Sequence, residues 1–141
     1  MNTPTRLRDW QIAFEAFIAE RSNKPFVWGA NDCSTFAADC VQAMCGVDPI
    51  PTGLRRHCTE KQALRTLQRH GGLVALASKV LGAPISPNFA TVGDVVLIKV
   101  GRRDALAICN GSTALGPSSN GLVAVGMAGA IHCWRVPSWQ S

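Results

Sequence analysis

Pro25-Phe26-Val27-Trp28-Gly29-Ala30-Asn31-Asp32-Cys33-Ser34 sets a cysteine directly after an acidic residue and behind a Trp-Gly turn. The segment that follows, Ser34 to Cys45, has the spacing of an amphipathic helix, with Phe36, Ala37, Cys40, Val41 and Met44 on its inner face. Asp32 is then a natural N-cap, its side chain able to accept from the N–H of Ser34 or Thr35. A thiol at Cys33 sits in the field of the helix N-terminus, where free N–H groups and the macrodipole favour negative charge. That placement predicts a depressed thiol pKa and makes Cys33 a candidate nucleophile.

Upstream, Leu7, Trp10, Phe14, Phe17 and Ile18 form one stripe and predict a helix over Arg6–Arg21, ended by Asn23-Lys24-Pro25. Downstream, Gly46 suits a C-cap, and Asp48-Pro49-Ile50-Pro51 reads as a rigid extended connector. Thr59 caps a third helix running to His70, with Gln62 at the capping-box position and Leu64 and Leu67 pointing inward. Gly71-Gly72 stops it, and Leu73–Leu81 is a fourth helix. After the proline-rich loop Pro84–Thr91 the pattern changes to strands: Val95–Val100, a turn at Gly101-Arg102-Arg103-Asp104, Ala105–Asn110, Thr113–Leu115, a loop Gly116–Asn120, Gly121–Val125 and Ile131–Val136. Helices first and an antiparallel sheet of about five strands afterwards is an α+β order.

A chain of 141 residues predicts one domain. It divides into an N-terminal helix (1–24), a cysteine-bearing helical half (25–83), the sheet (84–136) and a tail (137–141). Its apolar fraction of 47% is too high for disorder. No apolar run has the length of a membrane span, and Met1 to Arg8 lacks the basic-then-apolar order of a signal peptide. The net charge of +5 is spread over residues that do not interleave with aromatics, which argues against nucleic acid as a partner. The six cysteines, Cys33, Cys40, Cys45, Cys58, Cys109 and Cys133, contain no Cys-x-x-Cys pair. With no secretion signal a reducing compartment is expected, so most of them read as small core residues rather than disulfides or metal ligands.

The order Trp28-Gly29, Asp32-Cys33-Ser34 on a helix, then Val92-Gly93-Asp94 leading into Val95-Val96-Leu97, resembles the NlpC-type papain-like cell-wall peptidases. The resemblance covers about Pro25 to Val136 and implies a papain-like fold with Cys33 as nucleophile, Asp32 as helix cap and Trp28 as a wall of the cleft. It also implies a catalytic histidine at the start of the second strand, to take the thiol proton and protonate the leaving amine. The ungapped counterpart here, Ala105-Leu106-Ala107-Ile108, places Ala105 at that position. The region of the third polar group, Thr113 to Pro117, offers no orienter for an imidazole. His132 is the remaining candidate base, with His57 and His70 less well placed. Asp104, beside the empty position, is a poor base and would raise a neighbouring thiol's pKa.

Ala38-Asp39, Gly71-Gly72 and Trp134-Arg135-Val136 narrow the likeness to tail proteins of long-tailed bacteriophages. This implies a virion component of the tail tip, made in the host cytoplasm. Its partners would be other tail-tip proteins, met through Trp10, Trp139 and the Pro84–Thr91 loop. The first expectation is therefore a structural or assembly protein on a degenerate peptidase fold. The second is an active cysteine peptidase that cuts peptidoglycan peptides, with backbone N–H groups as the oxyanion hole. The third is a cysteine-rich metal- or cluster-binding module. Under the first two no cofactor or resident metal is expected.

Overall fold

The structure, a computed structural model, describes residues 4–50 and 59–137. Its elements are α1 (Trp10–Arg21), α2 (Cys33–Cys45), α3 (Glu60–Arg69), α4 (Leu73–Leu81), β1 (Val95–Val100), β2 (Arg103–Cys109), β3 (Thr113–Ser118), β4 (Gly121–Gly126) and β5 (His132–Trp134). The strands form one sheet in the order β4-β3-β2-β1-β5, with every neighbouring pair antiparallel. The class is α+β.

α2 is the central helix. Asp32 caps it by accepting from Thr35 N–H, and the Thr35 hydroxyl returns a bond to the Asp32 backbone N–H. Gly46 closes it in a left-handed conformation at φ +79°. Phe36, Cys40, Val41 and Met44 are fully buried against Val95, Leu97, Leu106 and Ile108. Burial of each large side chain in that set contributes about 1.5–3 kcal/mol. The sheet is covered on both faces. Val96, Ile98, Ala107, Cys109, Ala114 and Cys133 form a second buried layer behind it, roofed by Ile85, Ala90, Met127 and Ala130 from the loops. That is why β1 reads as a continuous Val-Val-Leu-Ile run instead of alternating.

The N-terminal segment departs from the expected helix. α1 begins at Trp10, because Arg6 N–H donates to Pro137 C=O (2.7 Å) and Leu7 N–H to Met44 C=O (2.9 Å), which holds residues 6–7 extended across the end of α2. The Arg6 side chain, 3% exposed, runs into the core. Its guanidinium donates to Val136 C=O (2.8 Å), Val92 C=O (2.8 Å) and Asp94 Oδ1 (2.7 Å), and lies 4.2 Å from the centre of the Trp10 ring. Asp94, fully buried, also accepts from the N–H groups of Val136 and Thr91. Gly93 makes room for this knot. At φ +92°, a Cβ there would sit 2.9 Å from both the Arg6 guanidinium and the Met44 sulfur.

The strand boundaries are also corrected. Val100 pairs with Arg103, so the hairpin turn is the two-residue Gly101-Arg102 and β2 starts before Ala105. The expected loop over Gly116–Asn120 is strand as far as Ser118. Pro117 fits there because its partner Leu122 sends its N–H outward to Ser22 C=O (3.0 Å), leaving no ladder bond for proline to supply. β5 is shorter than expected, since Val136 N–H goes to Asp94 and not to a strand. Pro137 is held by Arg6; residues 138–141, Trp139 among them, lie outside the described residues, as do His57 and Cys58. Among the described residues, no helix is long and apolar enough to cross a membrane.

Candidate functional site

The loop before α2 is bolted from three sides. Asn31 N–H donates to Val27 C=O (2.7 Å), closing the turn in which Gly29 takes φ +79°. The Asn31 amide donates to Pro25 C=O (2.9 Å) and accepts from Arg21 (3.0 Å). Arg21 in turn pairs with Asp39 on α2 (2.6 Å). Phe26 N–H donates to Ser118 C=O (2.8 Å), which ties the loop to the sheet. The ring of Phe26 meets Trp28 edge-on at 4.7 Å.

Cys33 is the first residue of α2 and is partly buried. Its sulfur lies beside the backbone of Leu106 and 3.9 Å from the Ser34 hydroxyl. The expected depression of its pKa is reversed. Burial pushes the thiol up, and the Asp32 carboxylate adds to that. The backbone groups of Leu106 and Ser34 and the Ser34 hydroxyl act in the other direction. A helix terminus supplies about 0.3–1 kcal/mol, and the burial of the thiol acts against it. Asp32 is occupied as well: its carboxylate accepts from Gly29 N–H (2.9 Å), Thr35 N–H (2.9 Å) and the Thr35 hydroxyl (3.0 Å).

Cys33 opens on a cleft of about 300 Å³. Phe26, Trp28 and Pro117 form one wall. Leu64 and Leu67 of α3 with Leu73, Leu76 and Val80 of α4 form the other, and Arg103, Asp104 and Ala105 of β2 close the end. Leu64 therefore faces the cleft, half exposed, and the buried residue of α3 is Ala63. A narrower space of about 50 Å³ continues from Ser34, Ile50, Leu76 and Val80 between α2 and α4.

No histidine lines this cleft among the described residues. Ala105 lines it where the resemblance would place the base. His132 stands on β5 opposite Leu97, its ring 6.0 Å from that of Trp134. Because β1 separates β5 from β2, His132 lies about two strand spacings, roughly 10 Å, from the strand beside Cys33. That is well beyond the reach of a proton transfer. Asp104 does line the cleft, at its exposed mouth, 3.8 Å from Lys99.

The remaining described cysteines are free and buried. Burial holds Cys40 and Cys133 at about 12 and Cys45 at about 11, so they stay thiols, whereas thiolate is the ligand form. Among the described residues no group of three or more His, Cys, Asp or Glu could hold a metal ion.

Sequence reasoning passed over Arg21, Asn31 and Arg6, the polar residues that fix this architecture. A basic residue in a last helical turn and an Asn in a turn each have local explanations, and only the fold shows their long-range bonds.

A family described as a domain of unknown function (DUF6950) matches residues 5–136. The chain belongs to that family. No curated protein matches the sequence. The matched span includes both the Arg6–Asp94 knot and the Cys33 cleft, so knot and cleft lie in one family domain.

Proposed function

We propose that this protein is a structural or assembly component of a bacteriophage tail tip, built on an NlpC-type papain-like fold that no longer cleaves peptide bonds. The observation that carries the non-catalytic half is the cleft itself. A thiol held protonated by burial faces Ala105, and among the described residues no imidazole lines the cleft. Loss of the general acid–base group costs about 10²–10⁴ in rate, and a raised thiol pKa removes the thiolate that would attack. The tail-tip half rests on the resemblance carried by Trp28-Gly29, Asp32-Cys33-Ser34, Gly93-Asp94 and Trp134-Arg135-Val136. Exposed Phe89 in the 84–91 loop and Ile12 on α1 supply apolar surface for neighbouring tail proteins.

The second reading, an active peptidoglycan peptidase in the virion, is favoured by one feature: Cys33 remains at a capped helix N-terminus lining a cleft. Digestion of purified peptidoglycan by the wild type beside Cys33→Ala, with products resolved by mass, separates the two. The structural reading expects no fragments from either protein, and virions assembled equally well with Cys33→Ala. New peptide fragments that vanish in Cys33→Ala would overturn it.

A further inference from the structure

We propose that α3 is a lid on the Cys33 cleft, latched to the β1–β2 hairpin by the Glu60–Arg103 ion pair and hinged at Gly71-Gly72. The packing of α3 is the first support. One residue, Ala63, is buried, and neither it nor Leu64 or Leu67 joins the main core. Its neighbour α4 instead sends Ala77 and Leu81 into that core. The apolar side of α3 faces the cleft, so the helix covers the space in front of Cys33.

The latch is the second support. Glu60, the first residue of α3, pairs with Arg103 at the end of the hairpin; the Arg103 side chain is exposed, and Glu60 is half-buried with its paired oxygen turned away from solvent. A pair of this kind is weak and screened by salt. The hinge is the third. Gly71 and Gly72 take φ +84° and +103°, and a Cβ on Gly72 would meet no atom within 4 Å. Glycine is required there by its backbone conformation and not by close packing, which leaves the joint sterically unhindered. A helix with one buried side chain, a screened tether at one end and two glycines at the other belongs to the low-stability part of a molecule. When it lifts, the shield of Leu64 and Leu67 leaves Cys33. This inference does not depend on whether the cleft retains activity.

The test reads the modification rate of Cys33 in a Cys58→Ser background at one pH, with a bulky fluorescein maleimide and with small N-ethylmaleimide. Glu60→Gln and Arg103→Gln should each raise the bulky reagent's rate about two- to five-fold at low salt. The small reagent should gain less. About 1 M salt should bring the wild type to the variants' rate and leave the variants unchanged. Backbone amides of α3 should exchange faster than those of α2. Equal rates in wild type and variants with unchanged circular dichroism would overturn the proposal. So would equal acceleration of both reagents, which signals a change of local potential without opening, or α3 amides protected as long as those of α2.

Discussion

At the scale of single residues, the site is governed by what surrounds Cys33 more than by its place on a helix. The carboxylate of Asp32 both caps α2 and holds the thiol up. Asp32→Asn should therefore shift the pH profile of Cys33 alkylation toward lower pH. It should also weaken the cap, by no more than the roughly 1–2 kcal/mol of a full cap deletion. Iodoacetamide rates across pH and thermal unfolding would measure the two effects separately. The turn, the cap and the placement of Cys33 at the start of a helix were legible in Trp28-Gly29 and Asp32-Cys33, because each is a local matter of three or four residues. The state of the thiol was not, since burial is set by β2 and by α3 and α4, far away in sequence. The place of His132 was not legible either, since only the strand order shows that β1 stands between its strand and β2.

At the scale of elements, periodicity located the four α-helices and five strands of the described residues, and the errors fall where a long-range bond replaces a local one. Arg6 and Leu7 fall within the predicted helix but are held off it by Pro137 and Met44. Pro117 signals a loop but lies in a strand, because its partner's N–H is taken by Ser22. The knot that sets the first of these exceptions is testable. Removal of one member of a buried pair leaves the other uncompensated, so Arg6→Ala or Asp94→Ala should cost about 3–5 kcal/mol in chemical denaturation. Gly93→Ala should destabilise through both its φ and the clash with Arg6 and Met44. Near-full stability in all three variants would show that the knot contributes nothing.

At the scale of the whole molecule, buried thiols make stability depend on alkalinity. In the unfolded chain a thiol titrates near 8.5, whereas Cys40 and Cys133 are held to about 12 in the fold. Above the unfolded value the native state binds more protons, so stability falls as pH rises. The slope is about 1.4 kcal/mol per pH unit for each such thiol until the folded value is reached. The midpoint of urea unfolding should drop between pH 9 and pH 11, and Cys40→Ala with Cys133→Ala should flatten that drop. The Arg6 knot has another consequence, in the order of events as the chain leaves the ribosome. Arg6 is made well before its partners, Asp94 lying 88 residues and Val136 130 residues further along the chain. For most of synthesis, the apolar face of α2 has no sheet to cover it. A chain stopped at residue 130 lacks the Val136 partner of both Arg6 and Asp94, and should be degraded, with no folded fragment accumulating.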